Sequence, residues 1–350
     1  MEKQRNYGID LLRLVLMFMV CVLHTLGQGG ILKNCALGSA NYNTYWFIEI
    51  LAYCAVDAFA LITGYTASNK PVKYEKIVNM WFQVFFYSFI LTLVFTFVGI
   101  GGPLGLKEII KSALPITFNR FWYMTAYFGL FFAIPLLNKF IFSIDELTAK
   151  KTLIIIFILF SVLGVIGEPM RTYDGYSVIW LMVLYCIGAL ASKVGLFKNT
   201  KTLKLILLWS MCIIVTWLTF VCFGTKRLIN YISPTILLSG YLMIILFSRM
   251  KLKGKIISKL SPLALGVYLF HSNKVLWRNV IKDAFTFVVN QNILIGVLLV
   301  FGIASVIFVA GLFVEFIRNK LTEWLKVQKL SKKITILGEK ILNKACEILK

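Results

Sequence analysis

The chain has 350 residues, of which 59% are hydrophobic and only 15% are charged, and its mean hydropathy is +0.83. Soluble domains contain about a quarter charged residues because these cover the surface, so the composition excludes a water-soluble globule and predicts an integral membrane protein. The formal net charge of +22 does not indicate a nucleic-acid partner, because the basic residues lie in short segments between apolar runs, where they act as topology signals and contacts for anionic lipids.

Ten apolar runs have close to the roughly 20 residues that a helix needs to cross the hydrocarbon core. They predict an all-α fold, a polytopic bundle of about ten transmembrane helices. The predicted spans are 9–28, 45–66, 77–100, 121–140, 148–167, 176–192, 203–223, 230–248, 260–281 and 291–317.

The positions of the basic residues predict the orientation of these spans. With the N-terminus inside, the inner segments contain 26 of the 37 lysines and arginines and the outer loops contain 10. Cytoplasmic loops carry the excess of Lys and Arg, so both termini are expected in the cytoplasm. This arrangement requires an even number of spans, in agreement with ten.

The first predicted span contains three ionisable residues, Asp10, Arg13 and His24. Charge inside a bilayer is costly, so such residues are candidates for function. Arg13 and His24 lie on one side of a helix, about 16 Å apart along its axis, because eleven residues make about three full turns. Asp10 and Arg13 are close enough to pair. The alternative is an interfacial ion pair and a histidine that only packs.

The second predicted span contains two acidic residues and ends in a short motif. Glu49, at the outer end, can orient the imidazole of His24, as a carboxylate does in acyl-transfer sites. Asp57 lies deeper, where an unpaired carboxylate is costly, so we expect it to pair with Arg13 or to be protonated. Thr63-Gly64-Tyr65, at the cytoplasmic end, is typical of a helix stop or of a backbone opening near the phosphates of a cofactor.

The fourth predicted span begins with a polar and aromatic group at the outer face, Arg120, Trp122 and Tyr123. These residues can bind a sugar or stabilise an oxyanion. An aromatic belt at the membrane interface, with an interfacial charge, is the alternative.

The second histidine, His271, lies in the ninth predicted span within Tyr268-Leu269-Phe270-His271. A buried neutral imidazole can act as a general base, so either histidine is a candidate, and His24 is preferred because its depth matches that of the polar residues at the outer face. Two histidines, and seven cysteines without C-x-x-C spacing, predict no metal site.

Residues 319–350 are too polar to cross a membrane, so the chain is divided into a ten-span membrane domain, 1–318, and a tail, 319–350. Apolar residues recur in the tail at helical spacing, with lysines between them. This pattern predicts a basic amphipathic helix on the anionic cytoplasmic leaflet, with membrane lipids as its partner. A disordered basic tail is the alternative.

Four motifs, in chain order, make the sequence resemble the acyltransferase-3 family of integral membrane acyltransferases. They are Asp10-Leu11-Leu12-Arg13 with His24 after ten intervening residues, Val56-Asp57-Ala58-Phe59 leading to Thr63-Gly64-Tyr65, Phe121-Trp122-Tyr123 running to Pro135-Leu136-Leu137-Asn138, and Tyr268-Leu269-Phe270-His271. Thr63 replaces the usual Ser of the family, and the Arg-x-x-Arg motif that some members carry in the third span is absent.

The resemblance implies an enzyme that takes an acyl group, usually acetyl, from cytoplasmic acyl-CoA and transfers it to a hydroxyl of an extracytoplasmic or lipid-linked glycan. A bacterial plasma membrane is then the expected location, and acetyl-CoA is a co-substrate. In this scheme His24 is the catalytic base or acyl relay, aided by Glu49 or His271. The donor is expected to face Asp10, Arg13, Asp57 and Tyr65, and the acceptor Arg120, Trp122 and Tyr123.

Two other functions are consistent with the sequence. A transporter or flippase for a lipid-linked saccharide explains the spans, the polar stripe and the outer aromatic residues without any bond making. A membrane glycan polymerase also uses arginines at the outer face, but the longest predicted outer loop, 101–120, has only about twenty residues.

Overall fold

The computed structural model describes residues 5–348, and every regular element in that range is helical, which confirms the all-α prediction. In chain order the α-helices are α1 (Tyr7–Leu26), α2 (Ile31–Asn34), α3 (Ala40–Tyr53), α4 (Ala55–Tyr65), α5 (Glu75–Phe85), α6 (Leu91–Phe97), α7 (Leu106–Ala113), α8 (Trp122–Ser143), α9 (Glu146–Phe157), α10 (Leu163–Gly167), α11 (Val178–Lys193), α12 (Thr202–Phe223), α13 (Pro234–Ser248), α14 (Lys255–Leu260), α15 (Ala264–His271), α16 (Lys274–Leu276), α17 (Ile293–Trp324) and α18 (Val327–Ile348).

Seven helical stretches within residues 5–348 are long and apolar enough to cross a membrane. They are Tyr7–Asn34, Ala40–Tyr65, Glu75–Phe97, Trp122–Ser143, Glu146–Gly167, Thr202–Phe223 and Ile293–Trp324. The sixth and eighth predicted spans correspond to shorter apolar helices, α11 and α13. The count of ten spans and the cytoplasmic position of both termini therefore stay predictions.

The ninth predicted span, 260–281, is not one continuous helix, so the prediction was wrong in this detail. α15 ends at His271, and Asn273 starts a new short helix. The side-chain oxygen of Asn273 accepts a hydrogen bond from the backbone N–H of Val275 at 2.9 Å, and its amide donates to the carbonyl oxygen of Tyr87 at 2.8 Å. Hydropathy did not reveal this break because a backbone interruption inside a bundle is tolerated where neighbouring groups satisfy it.

Tyr87 belongs to a π-helical segment, Phe86–Ile90, which joins α5 to α6. A π turn accommodates one extra residue and changes the direction in which the side chains around it point. At this position both polar groups of Tyr87 are used. The carbonyl oxygen supports Asn273, and the hydroxyl reaches a buried carboxylate of α17.

α4 and α11 cross with their backbones in close contact. A Cβ atom on Gly64 would lie 2.0 Å from the carbonyl oxygen of Tyr185, and one on Gly188 would lie 2.3 Å from that of Leu61. Small residues allow helices in membranes to approach this closely. Gly64 of the Thr63-Gly64-Tyr65 motif is therefore a packing residue, and the crossing fixes the position of Tyr65 at the end of α4.

The predicted tail is helical, and its predicted position on the cytoplasmic leaflet stays a prediction. α17 continues past residue 318 to Trp324, and α18 begins after a two-residue connection. α18 has 22 residues, and Ser331 is its one fully buried side chain among those described.

Candidate active site

The first helix carries the predicted polar stripe without a break. α1 begins at an Asn6 cap, whose side-chain oxygen accepts hydrogen bonds from the backbone N–H groups of Gly8 and Ile9. It continues as regular α-helix to Leu26, so Arg13 and His24 lie on one face, about 16 Å apart along the axis. Four residues of this face line one cavity, namely Arg13, Met17, Val20 and His24.

A cavity of about 540 Å³ lies at the end of the bundle where the charge distribution predicts the cytoplasm. We call it the basic cavity, since four basic side chains and one acidic side chain line it. Its lining residues are Arg5, Asn6, Ile9, Asp10, Arg13, Tyr65, Thr66, Ala191, Ser192, Gly195, Leu196, Lys198, Tyr241, Ile245, Ser248 and Arg249. Three of the four residues predicted to face an acyl donor, Asp10, Arg13 and Tyr65, are therefore brought together.

Asp10 forms ion pairs with two arginines of the basic cavity, Arg5 and Arg13. Its carboxylate accepts hydrogen bonds from Nε of Arg5 at 2.5 Å and from Nη1 of Arg13 at 2.9 Å, and it is only 4% exposed. The hydroxyl of Ser261 donates to the same carboxylate at 3.4 Å. Because charge-assisted hydrogen bonds restrict a side chain in direction, Asp10 fixes both guanidinium groups at the cavity wall.

Arg249 and Lys198 complete the basic lining and were not identified from the sequence. The guanidinium group of Arg249 donates to the carbonyl oxygens of Phe197, Lys198 and Thr200 at 2.8 to 3.0 Å, which holds this loop against α13. A basic residue directly after a span is expected from membrane topology alone. Nothing else in the sequence indicates that Arg249 also lines a cavity.

A second cavity of about 270 Å³ follows the polar face of α1 to His24, and we call it the histidine cavity. Arg13 lines both cavities. The other residues around the histidine cavity are Met17, Val20, His24, Val56, Phe59, Ile62, Thr63, Met80, Trp122, Tyr123, Met124, Tyr127, Tyr231, Ser261, Pro262, Ala264, Leu265 and Tyr268. Two adjoining cavities thus lead from one end of the bundle to an imidazole.

The two histidines form a direct pair, although 247 residues separate them in the sequence. Nδ1 of His24 lies 2.6 Å from Nε2 of His271. Nδ1 of His271 lies 2.6 Å from the carbonyl oxygen of Val267, one turn earlier in α15. His271 is fully buried. The structure therefore places His271, and not Glu49, against the predicted catalytic imidazole.

These contacts fix the tautomers of the neutral pair. A carbonyl oxygen can only accept, so Nδ1 of His271 carries the proton that bonds to Val267, and Nε2 of His271 carries a lone pair. Nδ1 of His24 must then donate to that lone pair. Nε2 of His24 is left with a free lone pair, and no group within residues 5–348 forms a hydrogen bond with it. An imidazole in this state can accept a proton or attack a carbonyl carbon.

The break in the ninth predicted span brings a second group to His24. The ring of Trp277, which lies beyond the break, meets the imidazole edge to face, with the ring centroids 4.7 Å apart. The carbonyl oxygen of Trp277 accepts a hydrogen bond from Nε2 of Gln28 at 3.3 Å. One interrupted segment thus supplies both the partner of His24 and the wall beside it.

Aromatic rings surround the histidine cavity on the side that is predicted to face outward. The ring centroids of Trp122 and Tyr176 are 4.6 Å apart, and Trp122 stacks on Tyr231 at 6.1 Å with a 27° angle between the planes. Tyr53 packs on Tyr231 at 4.8 Å. Two of the predicted acceptor residues, Trp122 and Tyr123, therefore line the cavity. The hydroxyl of Tyr123 is buried and has no hydrogen-bond partner in the described part of the chain.

Arg120 does not line the cavity but forms an ion pair outside it. Its Nη1 lies 2.6 Å from a carboxylate oxygen of Glu108 in α7. Burial alone would raise the pKa of Glu108, but the hydrogen bond and charge of Arg120, together with the charges of Arg278 and Lys111, hold the pKa below its ordinary value. Arg120 thus anchors the outer loop to the start of α8.

The two acidic residues of the second predicted span lie apart from the histidine pair. Asp57 is fully buried and accepts a hydrogen bond from Nε1 of Trp180 at 3.1 Å, so Arg13 is not its partner; the alternative, a protonated Asp57, stays a prediction. Glu49 is 8% exposed, and one of its carboxylate oxygens has no hydrogen-bond partner within residues 5–348. Neither residue lines either cavity.

A buried ion pair in α17 packs against α15, the helix that carries His271. The carboxylate of Glu315 is 1% exposed and accepts hydrogen bonds from Arg318 at 2.6 and 2.8 Å, from the hydroxyl of Tyr87 at 2.7 Å and from Nε2 of Gln83 at 3.0 Å. A Cβ atom on Gly266 would lie 2.4 Å from this carboxylate, so α15 packs directly on it. The charge of Glu315 inside the predicted span 291–317 was a usable signal for this cluster, which the sequence interpretation missed.

Comparison with known proteins gives one finding. The sequence model of the acyltransferase-3 family, described as an acyltransferase domain, matches residues 6–314. No curated protein and no solved structure matches the chain. The matched residues include the histidine pair, the whole lining of the histidine cavity and every lining residue of the basic cavity except Arg5.

Proposed function

The chain belongs to the acyltransferase-3 family of membrane acyltransferases, and on this basis we propose that it transfers an acetyl group from cytoplasmic acetyl-CoA to a hydroxyl of a cell-surface or lipid-linked polysaccharide. One observation carries the proposal. The basic cavity and the histidine cavity share Arg13 as a lining residue, and the second cavity is also lined by His24, whose Nε2 carries the free lone pair. A bacterial plasma membrane is the setting that this reaction requires.

The basic cavity suits the charged end of the donor. CoA carries several phosphate groups, and arginine binds phosphate through paired N–H donors. Arg5, Arg13, Lys198 and Arg249 surround a volume of about 540 Å³. The narrower and largely apolar histidine cavity is suited to the uncharged arm that carries the thioester. Arg13 then lies between the phosphates and the acyl group.

His24 can activate the acceptor as a general base. Nε2 takes the proton of the acceptor hydroxyl while the hydroxyl oxygen attacks the thioester carbonyl carbon. The carbon–sulfur bond breaks, and the CoA thiolate takes the proton from Nε2, which leaves an ester and free CoA. The hydrogen bond between Nδ1 of His24 and His271 keeps the imidazole in the required tautomer and stabilises its protonated state.

His24 can instead relay the acyl group covalently. Nε2 attacks the thioester carbonyl carbon, the carbon–sulfur bond breaks and CoA leaves as the thiolate. The acceptor hydroxyl then attacks the acyl carbon, the carbon–nitrogen bond breaks, and the proton of the hydroxyl neutralises the thiolate, which leaves an ester, free CoA and the original imidazole. The two routes differ when the acceptor is absent. The relay releases one equivalent of CoA per protein molecule and leaves the label of acetyl-CoA on the chain, whereas a general base releases none.

The acceptor is proposed to enter from the outer side, where Trp122, Tyr123 and Tyr231 line the histidine cavity. Flat aromatic faces bind apolar surfaces such as the C–H faces of sugar rings, and the tyrosine hydroxyls bind polar groups. The unpartnered hydroxyl of Tyr123 is a hydrogen-bond donor available to a ligand. Membership of an acyltransferase family favours this reaction over the flippase and polymerase alternatives.

Donor binding tests the proposal directly. Acetyl-CoA at about 100 times its Kd is expected to stabilise the purified protein by about 2.7 kcal/mol, because a ligand that binds only the folded state shifts unfolding by mass action. Arg13→Ala should abolish the shift in a thermal unfolding assay. Arg227→Ala, a matched change of an exposed arginine outside both cavities, should retain it. Equal shifts in both variants would exclude the basic cavity as the donor site.

A further inference from the structure

α18 carries two exposed stripes that its contacts with the protein leave uncovered. Its first turns pack against α5 through a buried or half-buried side that consists of Val327, Ser331, Thr335 and Gly338. From Glu339 to Ile348 every residue is exposed. The helix therefore projects beyond the bundle for nearly half of its length.

The first exposed stripe is apolar. Its residues, Leu330, Ile334, Leu337, Ile341 and Ile348, are between 42% and 78% exposed. At about 100° per residue they fall within an arc of about 60° on the helix. An apolar stripe of this length is unfavourable in water and indicates a surface that is covered in the cell.

The second exposed stripe is basic and borders the first. Lys329, Lys333, Lys340 and Lys344 are separated by four, seven and four residues, so they also fall within an arc of about 60°. All four are exposed. Apolar and basic stripes side by side are typical of a helix that lies in the interface of an anionic membrane.

We propose that α18 lies along the cytoplasmic surface of the bilayer and binds the phosphate headgroups of anionic lipids through its lysine stripe. The two-residue connection from α17, the last predicted span, keeps the start of α18 at the membrane. Trp324, at the end of α17, is 77% exposed, as expected for an aromatic residue at the headgroup level. Charge complementarity favours lipid over a second copy of the chain, because two copies would set lysine stripes against each other.

The contact with α5 connects this surface to the cavities. α5 supplies Met80 to the wall of the histidine cavity and Gln83 to the buried carboxylate of Glu315. α18 begins against α5, so a membrane-bound α18 supports α5 from outside the bundle. The residues of α18 lie beyond the family match at 6–314, which makes this surface an addition to the acyltransferase domain.

The test places an environment-sensitive fluorophore at Ile341→Cys in the full chain, with Cys222→Ser and Cys346→Ser removing the exposed native thiols. The protein is reconstituted in nanodiscs of phosphatidylcholine alone or mixed with phosphatidylglycerol. Quenching by brominated lipid should be stronger in the anionic nanodiscs. Changing the four lysines of the stripe to Gln should lower the ratio of bound to free helix by about 600-fold, since each lysine contributes about fivefold.

The matched control replaces four exposed lysines on other segments predicted to be cytoplasmic, Lys150, Lys151, Lys201 and Lys204, with Gln, and should leave quenching unchanged. Should the four-lysine variant of α18 fail to fold, added salt provides the second measurement, because screening must release the parent helix from anionic nanodiscs. Equal quenching in both lipids, or quenching that salt does not change, would overturn the proposal. Quenching that depends on the number of protein copies per nanodisc would assign the surface to a second chain.

Discussion

Replacement of His24 by Ala is expected to lower the rate of acyl transfer by about 10²- to 10⁴-fold, the range for loss of a general acid–base group. The reason is that His24 lines the histidine cavity and its Nε2 carries a lone pair that is free to take a proton. The measurement is the acetyl content of surface polysaccharide, by mass spectrometry, in cells that produce the parent or the variant at equal levels. Binding of acetyl-CoA to the purified variant should persist, because the basic cavity is intact.

His271 provides the comparison, as a positioning residue that acts through His24. His271→Ala removes the acceptor for Nδ1 of His24 and should cost about 10- to 100-fold in rate, by analogy with the loss of a hydrogen-bond partner of a metal-bound imidazole. His271→Gln offers an amide oxygen at nearly the same place and should recover part of the loss. The pH dependence of kcat should change in His271→Ala, a result that a purely structural role would not produce.

Normal acetylation in His24→Ala cells would remove His24 from the mechanism.

Glu315→Ala is expected to destabilise the protein by about 3–5 kcal/mol, because it leaves the guanidinium group of Arg318 buried without a counter-charge. Two further donors, the hydroxyl of Tyr87 and the amide of Gln83, lose their acceptor at the same time. The measurement is the midpoint of thermal or urea unfolding in detergent.

Glu323→Ala is the matched control for that change. Glu323 also pairs with a basic residue three positions away in α17, Lys320, but both side chains are more than 60% exposed. An exposed ion pair contributes about 0–1 kcal/mol, so this variant should unfold close to the parent. If the two variants lose the same stability, the buried pair has no special structural role.

The elements that hydropathy could predict are the long spans. Within the described residues, seven helical stretches are long and apolar enough to cross a membrane, because lipid-facing helices must be apolar over about 20 residues. The stripe from Arg13 to His24 was also predictable, because it depends only on helical periodicity within one unbroken helix. Each of these features is local in the sequence.

The features that the sequence did not reveal depend on contacts between distant segments. His24 and His271 are 247 residues apart, so no spacing rule could pair them. The partner of Asp57 proved to be Trp180, because the α4–α11 crossing, and not charge, determines which residues meet. The break at Asn273 was hidden for a similar reason, since the groups that stabilise it belong to another predicted span.

The position of Arg13 has a consequence for the permeability of the membrane. In the predicted orientation, the two cavities that share Arg13 extend from the cytoplasmic side towards His24 in the outer half of the membrane, and such cavities would admit water and protons into the bilayer. A fixed positive charge at a constriction repels protons and other cations, as arginine does in water-selective channels. Arg13 lines both cavities and is held by Asp10, so the residue proposed to contact the donor also stands where a leak would have to pass.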